Sequence, residues 1–550
     1  MKLPCAGLVA RVRILVLCLL LIAPVVIAQK KSRIPAKPSP LRVTPELLRP
    51  HLRFLASDEL QGRETGEHGQ KVAAQYLAAM FERAGVKPAG DSGSYLQRFS
   101  LYREAANGVQ RISLRDADAE MPLDITDDFV FTVFGSDTID APVVFAGFGI
   151  DDSLNFRYSD YAGIDVAGKV VLIIGGVPRR NDPAAPFSTA RNRWQDMSAA
   201  TPSLAKIAAA RAAGARALLI VPDIGESGLG NITKKVKRRS PFSFLSFSPP
   251  RRTVSAMPVA FVSARAAARI LGGGPVTVQT LKKHIDSALT PASFEIPSAR
   301  LSIVTARTID TVRTENVVGI VAGSDSVLKR EAVVFSAHYD HIGMQADGTV
   351  HNGADDDASG TSAVLAFAEL LGTLPVKPKR SVVLLCNTGE ENGLLGSEYY
   401  TRNPVIPLSN TVCNVNIDMI GRRDPAHVLS GVSEYVYVIG SKRRSAELDD
   451  VLQRVNRETD NLVLDYAYDA PDDPERLYER SDHYNFAKRG IPVIFFHTGE
   501  HEDYHRSTDD FEKIEFDRMA RVATLILRVG LSVASRPQRL RITESLERDP

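Results

Sequence analysis

The sequence predicts an α/β protein: a mixed, mainly parallel sheet flanked by helices, into which a smaller, β-rich α/β domain is inserted. Strand-like and helix-like patterns alternate from Ser298 to the end of the chain. Most of these strands are continuous apolar runs, as expected where helices cover both faces of a sheet. A separate set of short apolar strands within residues 139–292 predicts the inserted domain.

Size and composition fit a globular protein of two or three domains. The chain has 550 residues, of which 44% are hydrophobic and 24% charged, and its formal net charge is +2. Residues 1–28 contain three basic and no acidic residues, so their removal changes the charge from +2 to −1. The charge therefore gives no reason to expect a nucleic-acid partner.

The N-terminus predicts a secretory signal peptide over residues 1–28. Basic residues precede the apolar run Ile14–Ile22, and Val26-Ile27-Ala28 ends in a small residue, as cleavage sites do. A retained membrane anchor is the alternative, but the apolar stretch is short and Pro24 interrupts it. We expect cleavage after Ala28, a flexible leader over residues 29–43, and a secreted or periplasmic protein without stable membrane insertion.

Two cysteines remain after this segment, Cys386 and Cys413, each within an apolar run. They could face one another on neighbouring strands, but buried free thiols are the favoured interpretation.

Residues 44–138 are predicted to form the N-terminal part of the main domain. Thr44-Pro45-Glu46 has an N-cap residue, a proline at the first helical position and an early acid, which predict a helix start. Pro50 is expected to kink or restart this helix. Val72–Ala84 predicts a second helix before Gly85, and Tyr95–Phe134 alternates as strands do.

The inserted domain is predicted over residues 139–292. Its expected elements are the strands Val143–Gly149, Val170–Gly175 and Ala217–Val221 and the helix Ser203–Ala213. Tyr161-Ala162-Gly163 and Val166-Ala167-Gly168-Lys169 resemble the protease-associated (PA) domain of secreted and membrane peptidases. That resemblance implies a non-catalytic domain that shapes substrate access. A basic loop at 234–252 is interpreted as solvated, with a contact to substrate or cell envelope as the alternative.

The main domain is predicted to continue over residues 293–535, followed by a tail at 536–550. The expected strands are Asn316–Val321, Ala332–Ala337, Ser381–Cys386, Val412–Ile417, Tyr435–Ile439 and Ile491–Phe496, and the expected helices are Ser359–Leu371, Ser397–Thr401, Arg444–Glu458 and Arg518–Val533.

Imidazoles and carboxylates follow these strands where the strands end. The groups are His338 with Asp340, the triplet Asp355-Asp356-Asp357, the pair Glu390-Glu391, Asp418, and the cluster His497, His501, Asp503, Tyr504 and His505. Each group alone could be a solvated loop or a helix cap. Because the carboxyl ends of parallel strands share one edge of a sheet, the groups together predict a site there.

Histidines and carboxylates without a thiolate suit Zn²⁺ or a similar divalent ion. Three carboxylates among five ligands can compensate two dications if one carboxylate bridges, and Asp356 is the natural bridge at the start of a helix. A bridged pair roughly 3.5 Å apart holds a water nucleophile and polarises a scissile carbonyl. Glu390-Glu391 can supply a general base and a ligand from adjacent positions. Asp340 could orient the His338 imidazole.

The motifs resemble the full set of the co-catalytic zinc aminopeptidase family, over roughly residues 298–535. They are His338-Tyr339-Asp340, Gly353-Ala354-Asp355-Asp356-Asp357-Ala358-Ser359-Gly360, Glu390-Glu391-Asn392-Gly393-Leu394-Leu395-Gly396-Ser397, Asn416-Ile417-Asp418-Met419 and Asp503-Tyr504-His505. That family includes secreted leucyl-type aminopeptidases, glutamate carboxypeptidases and glutaminyl cyclases.

The resemblance implies two zinc ions per chain. One ion would take His338, Asp356 and Asp418, and the other Asp356, Glu391 and His505, with Glu390 as general base and Asp340 behind His338. Ser481-Asp482-His483 resembles a family segment near the substrate cleft, and Arg506 replaces the family's usual threonine. Four further histidines, His341, His351, His497 and His501, are not expected to bind metal.

The resulting hypothesis is a secreted di-zinc aminopeptidase that removes single residues from the free N-terminus of peptides. A carboxypeptidase or a glutaminyl cyclase of the same family is the alternative enzyme, although such cyclases use a single zinc. A binding protein that has lost its metals is the alternative from another class, but no ligand position is altered here. Peptides are the expected partners, and the oligomeric state stays open.

Overall fold

A computed structural model of the protein describes residues 41–542, apart from 117–118, 126, 134, 136–137, 183, 188–192, 195–202, 224–244, 250–256 and 346. The predicted signal peptide, most of the leader, most of the basic loop and the end of the C-terminal tail lie outside the described residues. The elements described below belong to one unit that begins at Arg42.

The α-helices are α1 (Pro45–Leu55), α2 (His68–Arg83), α3 (Leu204–Ala212), α4 (Ala264–Ile270), α5 (Val278–Ala288), α6 (Ala358–Thr373), α7 (Leu395–Arg402), α8 (Pro425–Ser430), α9 (Ala446–Arg457), α10 (His483–Ala487) and α11 (Phe516–Ser535).

The strands are β1 (Lys87–Pro88), β2 (Leu96–Ala106), β3 (Arg111–Asp116), β4 (Ala119–Pro122), β5 (Phe129–Val133), β6 (Thr138–Phe145), β7 (Asp151–Asp152), β8 (Tyr158–Ser159), β9 (Val170–Ile174), β10 (Ala217–Val221), β11 (Leu245–Ser246), β12 (Val259–Val262), β13 (Phe294–Val304), β14 (Arg307–Val321), β15 (Ala332–His338), β16 (Ser381–Asn387), β17 (Thr411–Ile417), β18 (Tyr435–Ile439), β19 (Val463–Asp465) and β20 (Val493–His497).

The main sheet has the strand order β11-β2-β14-β16-β15-β17-β20-β18-β19, with β1 paired to β14. Its centre, β16-β15-β17-β20, is parallel throughout. On either side β14 and β18 join antiparallel. The predicted mixed, mainly parallel sheet is confirmed for its centre, and the C-terminal ends of four adjacent strands share one edge.

Helices cover both faces of this centre, which explains its continuous apolar strands. Phe335 on β15 packs against Phe367 of α6 and against the backbone of Gly530 in α11. The preceding residue of the strand, Val334, points to the opposite face and joins a buried cluster with Tyr400 and Phe486 from α7 and α10.

The second sheet has the order β4-β3-β13-β6-β9-β10-β12-β5. It is wider than the predicted insertion at 139–292, because β3–β5 come before that range and β13 comes after it. Alternation over Tyr95–Phe134 indicated strands but could not tell which sheet each strand joins. In the structure β2 belongs to the main sheet and β3 to the second. The limits of a separate domain stay a prediction.

The predicted elements of the main domain lie within a few residues of those observed, except that β14 extends to Arg307. Helix α1 runs through Pro50, so the expected restart is not observed, although an interior proline removes one backbone hydrogen bond. Cys386 and Cys413 are buried free thiols, as predicted. They lie on β16 and β17, which β15 separates. No helix among the described residues is long and apolar enough to cross a membrane.

Candidate metal centre

The parallel centre of the main sheet delivers the candidate residues to one edge. His338 is the last residue of β15, Asp418 follows the end of β17, and Glu390-Glu391 come shortly after β16. The loop after β20 supplies His505. The structure therefore brings all five predicted ligands and Glu390 together.

A first group forms around His338. Its Nε2 atom lies 3.2 Å from Asp356 Oδ1 and 3.6 Å from Asp418 Oδ1, and the ligand atoms of these three residues lie within 4.8 Å of one another. The other ring nitrogen, Nδ1, lies 3.1 Å from the carbonyl oxygen of Asp340. Because a carbonyl only accepts, Nδ1 carries a proton, and this contact turns Nε2 toward the two carboxylates.

A second group forms around the other oxygen of Asp356. His505 Nε2 lies 3.1 Å from Asp356 Oδ2 and 3.2 Å from Glu391 Oε2. The Asp356 carboxylate thus faces both groups, one oxygen to each.

The two neighbours of Asp356 turn away and support the loops. Asp355 Oδ1 accepts a hydrogen bond from Gly421 N at 2.6 Å. Asp357 Oδ1 caps α6 by accepting from Gly360 N, and its Oδ2 accepts from His338 N. The triplet therefore offers one carboxylate to the centre and uses two as structural acceptors.

Glu390 lines the cleft beside the first group. Its Oε2 lies 3.9 Å from His338 Nε2. Burial raises the pKa of Glu390 well above its usual range, against the opposing effect of His338. A raised pKa suits a carboxyl that exchanges a proton during a reaction.

Asp340 is placed differently from the expectation. Its carboxylate is 3.8 Å from His338 Nδ1, too far for a hydrogen bond, and it accepts instead from Thr65 Oγ1 at 2.8 Å and from Glu390 N at 3.3 Å. Burial raises the pKa of Asp340 to about 7. In this structure the backbone carbonyl of Asp340, not its carboxylate, orients the imidazole.

The Ser481-Asp482-His483 segment contacts the site through its first residue. Ser481 Oγ donates to Asp418 Oδ2 at 2.7 Å and accepts from Asn416 Nδ2 at 2.8 Å. Asp482 lies farther back and accepts from Asn387, while His483 begins α10. The cleft is lined, besides the candidate residues, by Met419, Leu477, Arg480, Phe495, His497, Glu500 and Tyr504.

The additional histidines have different surroundings. His497 Nδ1 donates to the carbonyl oxygen of Asp418 at 2.9 Å, and His501 Nε2 lies 3.2 Å from Asp355 Oδ2. His351 Nε2 lies 2.6 Å from Gln345 Nε2. His341, in contrast, lies within the second group, with Nδ1 2.9 Å from Glu391 Oε1.

The buried Arg63 has no counterpart in the sequence predictions. Its guanidinium donates to the carbonyl oxygens of Tyr339, Asn352 and Gly353 at 2.8, 2.6 and 3.0 Å. Burial lowers the pKa of Arg63 to about 10, opposed by Asp356 and Asp340 among others. A single arginine in a polar loop has no pattern that distinguishes it from a solvated one.

The donor set fits divalent metal ions. Asp356 Oδ2 and Glu391 Oε1 are buried without a hydrogen-bond partner among the described residues, an arrangement that costs free energy unless a cation is present. Despite burial, Glu391 and Asp356 raise the pKa of His505 to about 10, as expected for an imidazole among carboxylates. Nitrogen and carboxylate oxygen donors without sulfur suit zinc.

The model of Peptidase family M28 matches residues 316–530. Aminopeptidase YwaD of Bacillus subtilis is 27% identical over 264 residues, which cover 46% of this chain and 50% of YwaD. A protein of Pyricularia oryzae named as a probable zinc metalloprotease is 26% identical over 275 residues, covering 43% of this chain and 53% of that protein. The chain thus spans about half the length of the curated relatives it matches.

Two solved structures share the fold. The aminopeptidase from Aneurinibacillus sp. strain AM-1 is 17% identical with a TM-score of 0.58, covering 91% of this chain and 96% of that one. BSAP, a zinc aminopeptidase from Bacillus subtilis, is 18% identical with a TM-score of 0.51, covering 92% and 100%.

These comparisons agree on a mixed α/β fold of the zinc aminopeptidase type. The match to the model of Peptidase family M28 over residues 316–530 confirms the resemblance of this part of the chain to a co-catalytic zinc exopeptidase family.

Proposed function

We propose that this protein is a secreted zinc-dependent exopeptidase, and specifically an aminopeptidase that hydrolyses the N-terminal bond of peptides. The observation that carries the proposal is the Asp356 carboxylate, whose two oxygens face two His/carboxylate groups beside Glu390. The aminopeptidase direction is supported by relatives that bear that name, such as YwaD.

Two zinc ions would be held by the two groups, one by His338, Asp356 and Asp418 and the other by Asp356, Glu391 and His505. When bound, such ions supply Lewis-acid polarisation of a carbonyl and lower the pKa of water.

Glu390 acts as the general base. Its carboxylate takes a proton from the attacking water and passes it to the leaving amine, which balances the proton over the hydrolysis. Ser481 and the backbone of Asp340 hold Asp418 and His338 in place, so that the reacting groups do not need to reorganise.

The lining of the cleft suits a peptide that binds through one of its termini. Leu477, Phe495 and Met419 provide an apolar wall, while Glu500 lies near Arg480 at 2.8 Å. A peptide with a protonated amino terminus can approach the carboxylate-rich lining with its first side chain against the apolar wall.

A carboxypeptidase is the second candidate, because Arg480 also lines the cleft and a guanidinium is suited to binding a C-terminal carboxylate. The two directions differ in which peptide terminus must be free.

The test is hydrolysis of a panel of amino-acid p-nitroanilides, each with a free and an N-acetylated amine, alongside N-acetylated dipeptides with a free carboxylate. We expect cleavage of free-amine substrates alone, loss of cleavage with a chelator and recovery with Zn²⁺. Cleavage of the acetylated dipeptides instead would replace the aminopeptidase by the carboxypeptidase.

The protease-associated identity of the second sheet and secretion are part of the proposal. The strands of the second sheet around the matching motifs support the protease-associated identity. The N-terminal sequence pattern supports secretion. N-terminal sequencing of the mature protein, with Gln29 expected first, tests secretion.

A further inference from the structure

We propose that His341 is a fourth protein ligand of the ion held by Asp356, Glu391 and His505. This inference rests on the two-ion function proposed above. It would give the second ion two imidazoles, whereas the first ion has one.

The distances around His341 fit a shared ion. His341 Nδ1 lies 2.9 Å from Glu391 Oε1 and 3.7 Å from Asp356 Oδ2, and the ligand atoms of these three residues lie within 4.8 Å of one another. Zinc binds nitrogen and oxygen at about 2.0–2.2 Å, so tetrahedral ligand atoms lie roughly 3.3 Å apart. The observed separations are on both sides of that value.

Four polar atoms of this group have no hydrogen-bond partner in the described part of the chain. Both ring nitrogens of His341 are buried without a hydrogen bond to any described residue, and so are Glu391 Oε1 and Asp356 Oδ2. Although His341 Nδ1 and Glu391 Oε1 are close, their orientation is not that of a hydrogen bond. Buried polar atoms without partners are costly, and an ion between them would satisfy Nδ1 and both oxygens.

The two oxygens of Glu391 indicate the same position for the second ion, between His341 and His505. Oε1 lies beside His341 Nδ1 and Oε2 lies 3.2 Å from His505 Nε2. One carboxylate therefore joins both imidazoles, whose ring centroids are 5.8 Å apart with planes at 67°.

The backbone holds the His341 ring in this place. A Cβ atom at Gly353, where φ is +56°, would lie 2.5 Å from Cγ of His341, so only glycine leaves room for the ring. The His341 amide donates to the carbonyl oxygen of Arg63 at 3.2 Å. These supports are independent of Glu391 and place the imidazole before any metal arrives.

The imidazoles also differ in exposure. The His505 side chain is 33% exposed, whereas that of His341 is fully buried. His341 is thus a fixed ligand at the inner side of the second ion and His505 a ligand at the mouth of the cleft.

The experiment is a titration of metal-free protein with Co²⁺, followed by visible absorption, together with Zn²⁺ competition against a chromophoric chelator. The variants are His341→Ala and His341→Phe, the second of which keeps a ring against Gly353. His351→Ala is the matched control, because His351 is a buried histidine of the same loop that faces Gln345. Circular dichroism of each metal-free variant checks folding.

We expect wild-type protein and the control to bind two equivalents. Each His341 variant should bind one equivalent as before and the other at least about 10-fold more weakly, with an altered Co²⁺ spectrum for that equivalent alone. Two unchanged equivalents would overturn the inference while leaving the two-ion function intact. Weaker binding with an unchanged spectrum would also overturn it, because His341 would then only position Glu391. A wild-type protein that binds fewer than two equivalents would overturn the proposed function itself.

Discussion

Asp356 is the residue at which both candidate ligand groups meet. Its Oδ1 and Oδ2 atoms lie 3.2 Å and 3.1 Å from His338 and His505. Asp509 accepts from the amides of Asp355 and Asp356 at 3.0–3.1 Å, so a carboxylate behind the loop fixes the backbone that presents the bridge. The chemistry of the site depends on such backbone contacts as much as on the candidate ligands.

Replacement of Glu390 by glutamine should separate catalysis from metal binding. The amide keeps the size of the side chain but cannot take a proton, so we expect kcat to fall at least about 100-fold with two zinc ions still bound. Metal analysis and hydrolysis of a free-amine p-nitroanilide measure both. Glu391→Gln is the matched variant and should lose one zinc ion. Near wild-type turnover in Glu390→Gln would exclude Glu390 as the base.

Replacement of Arg63 by methionine should destabilise the protein. The change leaves the carbonyls of Tyr339, Asn352 and Gly353 without their donor and removes a cation from a carboxylate-rich interior. We expect a loss of about 3–5 kcal/mol in the free energy of unfolding, measured with urea on metal-free protein. The exposed Arg98→Met should cost less than about 1 kcal/mol. Equal effects of the two variants would show that the buried guanidinium has no structural role.

At the scale of the element, the sequence predicts the positions of the buried strands more accurately than the order in which the strands pair. The apolar runs of β15, β16 and β17 were located to within one residue, because strands buried on both faces need uninterrupted apolar side chains. The short strand β19 has one exposed residue and two half-buried ones, and therefore has no such run. The order in which the strands pair also cannot be predicted from the sequence, since the hydrophobicity of a strand indicates its burial and not which strand lies beside it.

A side chain at Gly530 in helix α11 should destabilise the protein. A Cβ atom there would lie 2.2 Å from the ring of Phe335 on β15, so helix and sheet must separate or the ring must move. We expect Gly530→Ala to lower the free energy of unfolding by about 1–3 kcal/mol. Gly274→Ala is the control, since nothing lies within 4 Å of a Cβ atom there. A Gly530 variant as stable as the control would contradict this packing.

Asp160, which follows β8, should make the free energy of unfolding depend on pH. Its carboxylate accepts from the amides of Phe148 and Ile150 and from Tyr158, yet burial raises the pKa of Asp160 to about 7. A carboxyl whose pKa is higher in the folded state stabilises that state fully below its unfolded pKa of about 3.9. The contribution is lost as the pH rises through the folded value.

The Asp160→Asn variant should therefore lose this dependence. Between pH 4 and pH 7, the difference in unfolding free energy between wild type and variant should change in the variant's favour by at most about 4 kcal/mol, and then level off. Urea unfolding at several pH values measures it, with the exposed Asp151→Asn as the control. A constant difference across that range would show that Asp160 does not titrate there.

At the scale of the whole molecule, the chain combines a sheet whose edge carries the candidate site with a second sheet formed by strands between Arg111 and Val304. The five candidate ligands and Glu390 could be found from sequence because each follows an apolar strand and the motifs of a known family surround them. The sequence does not identify His341 as a ligand, although it lies three residues after His338, since spacing does not show which way a loop side chain turns. Its position depends on Gly353 and on the chain near Arg63, which only the folded molecule brings together.

The most direct test of the two-ion centre is X-ray diffraction from zinc-loaded crystals on both sides of the zinc absorption edge. We predict two anomalous peaks roughly 3.5 Å apart, one on each side of the Asp356 carboxylate, with His338 and Asp418 at one and Glu391 and His505 at the other. A single peak, or peaks that do not share Asp356, would contradict the proposed co-catalytic site.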